Sequence, residues 1–453
     1  MFCFFSLVLL FGAIGLSYAE NVIVPGAPWT DTSGNSIQAH GGGILKVGST
    51  FYWFGEDKAA NSALFSAVSC YTSTDLVNWS RQNNALTPIS GTMISNSNIV
   101  ERPKVIFNQK NSEYVMWFHS DTSNYGAAEV GVATAKSPCG PYTYKASWKP
   151  LGADSRDMGL FLDGELHSNA YLLYASDNNV DFKIASLDSN YYNVTGVVSE
   201  ITNVNLEAPG VIKRNGVYWL FASHTSGWAP NPNKYFSSNS ISGPWSAEAD
   251  LAPESTRTYY SQNNYDLLLP NQNAIYMGDR WHSALLGDSR YMWLPLDFSS
   301  GSPKILQADV WSVDPNSGSW TIASGTTYEA ENGTRGGNST LITNSGFSGG
   351  HGVGYLGNGG TVTLNNVQGN GVSGGQWVAV YAANGDSSYR TMTISVNGGS
   401  AIVIQQPDTG SASNPISVPV KLNLKSGSNT ILFAAGQSNY AADLDKIIVY
   451  TQS

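Results

Sequence analysis

Three acidic residues stand at comparable places in the chain. Glu101 opens ERPKVIFNQKNSEYVMWFHSD, Asp157 lies in RDMGLFLDGELHSNAYLLYASD, and Glu207 opens EAPGVIKRNGVYWLFASHTSG. Each precedes a small apolar strand, a polar turn and a Tyr-led apolar strand. A fourth and fifth acid, Glu56 and Asp57, end the second strand of HGGGILKVGSTFYWFGED. Carboxylates brought around one pocket repel each other, so at least one is pushed up in pKa. A carboxylic acid kept protonated in this way can protonate a leaving oxygen. Cleaving a glycosidic bond needs such an acid together with a base or nucleophile.

The elements that carry these acids form a repeat. The strand–turn–strand pattern recurs from His40, Glu101, Arg156, Glu207 and Arg280, the last in RWHSALLGDSRYMWLPLDF. Further strands follow several units, as in SAVSCYTSTDLVNWS and VGVATAKSPCGPYTY. A spacing of roughly fifty to seventy residues suits a four-stranded propeller blade with its loops. The fold class expected is all-β, a five-bladed β-propeller over residues 20–320; an array of β-sandwiches is the alternative. In a propeller the residues just before the innermost strands converge at one end of the channel. That places Glu101, Asp157 and Glu207 together.

Composition agrees with an all-β chain: 12% charged residues, 47 Gly, 24 Tyr, and no long run of helix formers. The formal net charge is -10, and no basic run occurs, which speaks against nucleic acid or an anionic membrane as partner. A monomer is expected. MFCFFSLVLLFGAIGLSYA, residues 1–19, reads as a secretory signal cleaved after Ala19, and no other segment is long and apolar enough to span a membrane. Four Asn-X-Ser/Thr sites, at Asn78, Asn193, Asn332 and Asn338, suit an extracellular glycoprotein. Cys70 and Cys139 remain in the mature chain, as one disulfide or two buried thiols. Five of the six histidines, His40, His119, His167, His224 and His282, are scattered singles without zinc-site spacing.

SRDMGLFLDGELHSNAYLLY and LEAPGVIKRNGVYWLF, with STDLVNW in the first unit, resemble glycoside hydrolase family 43 over roughly residues 25–315. The resemblance implies Glu207 as general acid and Asp157 as the residue that tunes it and orients the sugar. It also implies inversion at the anomeric carbon by a base-activated water. The family's usual base, an Asp opening the first blade, has no counterpart in AHGGGILKVG. With FYWFGED, ERPKV and YMGDRW, that gap resembles the subfamily of exo-acting β-1,3-galactanases, in which Gln262 of YYSQNNYD faces the water and Glu101 binds the sugar. An amide is a very weak base, so chemistry alone favours Glu101, and both are kept. Glu56, Tyr125, Asn179 and Thr225 are further sugar contacts by their polar tips at the same mouth, and Trp228 is placed to stack on a sugar face.

Near residue 320 the chain turns Gly-, Asn- and Ser-rich, and short strands over 326–453 suggest a jelly-roll β-sandwich. YEAE at Tyr328–Glu331 and the closing DLDKIIVY resemble carbohydrate-binding module family 35. The resemblance implies a structural Ca²⁺ on Glu329, Glu331 and Asp445, an oxygen-only set suited to a hard cation. It also implies sugar contacts from Tyr355, Arg390, Asn439 and Asp443. The expectation is then a secreted exo-enzyme releasing galactose from β-1,3-galactan, the backbone of type II arabinogalactan, with no cofactor in catalysis. An arabinofuranosidase or xylosidase of the same family, and a non-catalytic carbohydrate-binding protein, are the alternatives.

Overall fold

The computed structural model describes residues 22–164 and 169–451. The leader and His167 lie outside the described residues. Five four-stranded antiparallel meanders follow one another, each sheet built from consecutive strands. Their first strands are His40–Val47, Asn98–Asn108, Met158–Asp163, Leu206–Arg214 and Gln262–Leu268. The second strands, Thr50–Glu56, Glu113–Thr122, Asn169–Ser176, Val217–His224 and Ala274–Arg280, carry the apolar runs.

Those runs do not alternate apolar with polar, because each second strand is buried on both faces. Its alternate side chains enter two different cores. Phe54 packs with Met116 and Phe118 between sheets one and two. Trp117 packs with Leu172 and Tyr174 between two and three. Leu173 packs with Leu220 and Phe236 between three and four. Phe221 and Trp219 meet Ile275 and Met277, and that same core continues to Trp53 and Tyr71 of sheet one. The fifth sheet therefore packs on the first. Trp53 lies 4.7 Å from Trp293 and 5.2 Å from Trp79, ring centre to ring centre; removing one such buried ring costs about 3–5 kcal/mol. Ile23 and Trp311 exchange backbone hydrogen bonds of 2.7 and 3.0 Å, tying the chain before the first sheet to the chain after the fifth.

Four of the five repeat segments coincide with the first two strands of a sheet. The fifth does not. RWHSALLGDSRYMWLPLDF begins at the end of a second strand and runs into the third, Arg290–Asp297. That third strand is almost wholly buried, covered by Trp29, Trp53 and Trp311, so it is as apolar as the second strands elsewhere. Cys70 and Cys139 are bonded, joining the first sheet to the loop after the third strand of the second.

Beyond the short hairpin Trp311–Val313 and Trp320–Ile322 lie two further sheets, of six and five strands. They share one core, with Val353, Val378, Val380 and Ile447 from one sheet against Leu364, Met392, Ile431 and Phe433 from the other. Gly325–Glu329 pairs with Asp443–Tyr450, so the module's first and last strands are neighbours. Asp309 ties this module to the ring: its carboxylate accepts from Ser417, Tyr381 and Tyr450 at 2.5–2.7 Å.

Candidate active site at the mouth of the ring

His40, Glu101, Asp157, Glu207 and Gln262 hold equivalent positions at the starts of the five first strands. Register breaks follow His40, Glu101 and Glu207, and a similar break follows Asn263. Such bulges re-aim the side chains at the end of a strand. At three of them the next residue is left-handed: Gly41 at φ 60°, Arg102 at 54° and Ala208 at 53°. Glycine at position 41 leaves room for Glu56, whose Oε1 a Cβ there would meet at 2.1 Å.

Arg102 is the hub. Its guanidinium lies 2.9 Å from Asp157 Oδ2. It donates to Gln262 Oε1 at 2.7 Å, to Asn264 Oδ1 at 2.5 Å and to Asn263 O at 3.0 Å. Its backbone N–H donates to Glu56 at 3.0 Å. Glu101 has its own cation. Burial opposes its charge, but His119 at 3.3 Å, the positive charge of Lys58, and Tyr125 donating at 2.8 Å hold its pKa down at about 2. His119 also reaches Asp121 at 2.9 Å; burial opposes its charge too, yet the two carboxylates raise it to about 9. Lys58 lies 2.8 Å from Glu56; Glu56 and Glu101 outweigh its burial and raise its pKa.

Glu207 has no cation in contact among the described residues, and Glu56, although it has Lys58, is also raised by its burial. Glu207 accepts from Asn179 at 2.8 Å. Burial, joined by the charges of Asp157 and Glu101, pushes its pKa to about 8 against the pull of Arg102 and Arg156. At neutral pH it holds a proton it can give.

Gln262 is clamped. Its Oε1 accepts from Arg102 and, at 3.0 Å, from Trp281 Nε1, and its Nε2 donates to Ser223 Oγ at 3.0 Å. Arg and Trp are donors only, so the amide can face them only with its oxygen. Both lone pairs of that oxygen are engaged; one N–H is left over among the described residues. Where the first sheet lacks an acid, buried His40 sits 3.2 Å from Asp279, which also accepts from Gly41 N at 2.7 Å and Asn264 at 2.6 Å.

Glu56, Glu101, Tyr125, Asp157, Asn179, Glu207 and Gln262 are thus one network. Trp228 packs edge-on against Trp281 at 5.0 Å, and Thr225 lies exposed in the loop after His224. Arg102, His119, Lys58, Trp281 and Ser223 were not singled out from sequence. The available signal was the surplus of acids at one mouth, which calls for buried cations. A cavity of about 980 Å³ opens at the other end of the channel, past the strand starts, between Lys46, Lys104, Asp163 and Asp266.

In the C-terminal module, Glu329 Oε2 and Glu331 Oε2 are buried without hydrogen-bond partners. Ser348 donates to Glu329 and Asp445 at 2.8 Å each. Burial, with the charges of Glu329 and Glu331, pushes Asp445 to about 6. Tyr355 is 54% exposed and packs edge-on against Tyr440 at 5.4 Å. Arg390 donates to Asp386 at 2.7 Å and to Ala441 O at 3.1 Å. Asp443 rises to about 6 through burial, which the charge of Arg390 offsets in part. Asn439 caps the N–H of Tyr440.

Residues 38–280 match the family model for glycosyl hydrolases family 43. Residues 361–449 match one described as alpha-galactosidase, CBM13 domain. The module's likeness is therefore to a CBM13-like domain, and the match begins after the YEAE segment that resembles family 35. An exo-β-1,3-galactanase from Phanerochaete chrysosporium, solved with galactose, is 71% identical with a TM-score of 0.93, covering 95% of this chain and 100% of its own. A variant of that enzyme with β-1,3-galactotriose gives the same values. An exo-β-1,3-galactanase from Clostridium thermocellum is 30% identical, with a TM-score of 0.63, covering 94% of this chain and 100% of its own. No curated protein sequence matches the chain.

Proposed function

The chain belongs to glycosyl hydrolase family 43, and from that premise we propose that it is a secreted, inverting exo-β-1,3-galactanase that releases galactose from the backbone of type II arabinogalactan. The observation that carries the mechanism is Glu207, kept protonated at neutral pH beside the Arg102–Asp157 pair. Glu207 gives its proton to the glycosidic oxygen as the bond to the anomeric carbon breaks. A water attacks the opposite face of the ring, which inverts the configuration. Gln262 holds that water by its remaining amide N–H. Its oxygen is engaged, so the water's proton leaves to another acceptor, and Glu101 is the ionised carboxylate at the same mouth. Glu56, Tyr125, Asn179, Thr225 and Trp228 line the sugar's approach. His40 in place of an acid argues against an arabinofuranosidase or xylosidase.

The ring of five sheets is read as a five-bladed propeller, residues 20–320, and the paired sheets of 326–453 as a jelly-roll module. The orphaned oxygens of Glu329 and Glu331 beside Asp445 fit a hard divalent cation, which supports a structural Ca²⁺ pinning the module's first and last strands. Tyr355, Arg390, Asn439 and Asp443 form its sugar face. The Cys70–Cys139 bond suits an oxidising compartment.

Product analysis on debranched β-1,3-galactan tests the reading. Wild type should release galactose, and Glu207→Gln should lose at least about 10²-fold in turnover. Near-normal turnover by the variant would remove Glu207 from its role. Galactan binding without galactose release by wild type would make the protein a binding module.

A further inference from the structure

Arg257, Thr258, Tyr259 and Tyr260 form one short left-handed turn, with φ of 47°, 57°, 52° and 59°. None is glycine. The left-handed form costs an L-residue about 1–2 kcal/mol, so four in succession persist only where neighbours over-determine them. Ser261 alone separates this turn from Gln262.

The restraints come from two sides. Within the ring, Thr258 Oγ1 donates to Asn231 O at 3.1 Å and accepts from Asn233 N at 2.7 Å, and Ser261 Oγ donates to Thr258 O at 2.6 Å. Buried Arg280 donates to Tyr259 O at 3.0 Å and Tyr260 O at 3.3 Å. The other side is the C-terminal module. Its Ser417 O accepts from Arg280 at 3.2 Å, its Asp408 O accepts from Arg257 at 3.0 Å, and its Asn414 donates to Ser255 O at 3.0 Å. The Tyr389 ring stacks on His282 at 3.8 Å, next to Trp281, which donates to Gln262. The turn that leads into the Gln262 backbone and Trp281, one of the three partners of its amide, are therefore both backed by the module.

We propose that the C-terminal module is a structural part of the catalytic wall, and that Arg257 and Arg280 are positioning residues through which it sets the left-handed turn and hence Gln262. This rests on Gln262 orienting the attacking water. The module then acts on turnover itself, besides any hold it has on polysaccharide.

The test uses the full chain and soluble β-1,3-galactobiose, which needs no anchoring. Arg257→Ala removes the contact from the ring side. Gly410→Ala perturbs it from the exposed module side, since a Cβ there would lie 2.7 Å from the Arg257 guanidinium carbon. Both should lower kcat by about tenfold or more with KM unchanged, as expected for misplacement of a reacting group. Arg257→Lys, which keeps a positive charge and an N–H donor at that place, should stay near wild type. Folding is checked by melting, and Gln262→Ala is run in parallel. Wild-type kcat in both folded variants, with Gln262→Ala inactive, would overturn the proposal; so would a loss seen on galactan but not on galactobiose. Full activity in Gln262→Ala would instead remove the water reading on which it rests.

Discussion

The ring and the C-terminal module each gather acids, and they treat them differently. At the mouth of the ring Asp157, Glu101, Asp121 and Glu56 each have a buried cation in contact, Arg102 for Asp157, His119 for Glu101 and Asp121, Lys58 for Glu56, whereas Glu207 has, among the described residues, only the neutral amide of Asn179. In the module, Glu329 and Glu331 keep buried oxygens without partners. A buried charge is costly unless paired. The mouth has therefore been neutralised from within, as a site for an uncharged sugar should be, and one acid has been left to hold its proton. The module's cluster calls for its counter-charge from outside.

The comparison breaks most sharply at Arg102. Arg102→Met should leave part-buried Asp157 without its cation and the oxygens of Gln262 and Asn264 without their guanidinium donor, costing about 3–5 kcal/mol, read as a fall in melting temperature with loss of turnover. An unchanged melting temperature would mean that the mouth does not depend on this cation. Chelation probes the opposite case, the proposed Ca²⁺ of the module. EDTA should lower the module's melting transition, excess Ca²⁺ should restore it, and Glu331→Gln should abolish the shift. A site held at a hundred times its Kd loses about 2.7 kcal/mol on stripping. No shift would count against a metal.

Proton linkage sharpens the contrast further. Glu207 has a folded pKa of about 8, above its unfolded value of 4.5. For a carboxyl raised in this way the folded state binds the extra proton, so its ionisation lowers stability as pH climbs from 4.5 through about 8. The activity profile should fall on its alkaline side near 8. Asp157→Asn removes a charge that raises Glu207, so this limb should move to lower pH. A limb that stays put would mean that another group sets it. The smallest effect is expected in the module: Tyr355→Ala should weaken galactan binding by about 1–3 kcal/mol, the worth of one stacked ring by analogy with base stacking, with turnover on galactobiose unchanged. Unaltered binding would take Tyr355 out of the sugar face.

Much of this arrangement is legible in local pattern. Glu101, Asp157 and Glu207 are marked by their place before a repeated strand pair, and Glu329, Glu331 and Asp445 by their place at the two ends of one module. Arg102 is adjacent to Glu101 in the sequence, but which way it points depends on the bulge. His119 lies inside a strand of mostly core residues and Trp281 directly follows one, and nothing in their spacing separates them from the core. The fifth repeat segment falls one strand late in its sheet, since burial on both faces makes second and third strands alike.

The sequence by itself determined the all-β class, the five-fold repetition, the acids at the strand starts and the separate Gly-rich module, because each follows from residue type and period along the chain. The tertiary structure alone decided which cation meets which acid, that the Gln262 oxygen is taken up by Arg102 and Trp281, that Cys70 finds Cys139, and that a left-handed turn beside Gln262 leans on the distant module. These depend on side chains from different sheets meeting at distances of about 3 Å, which no one-dimensional spacing encodes.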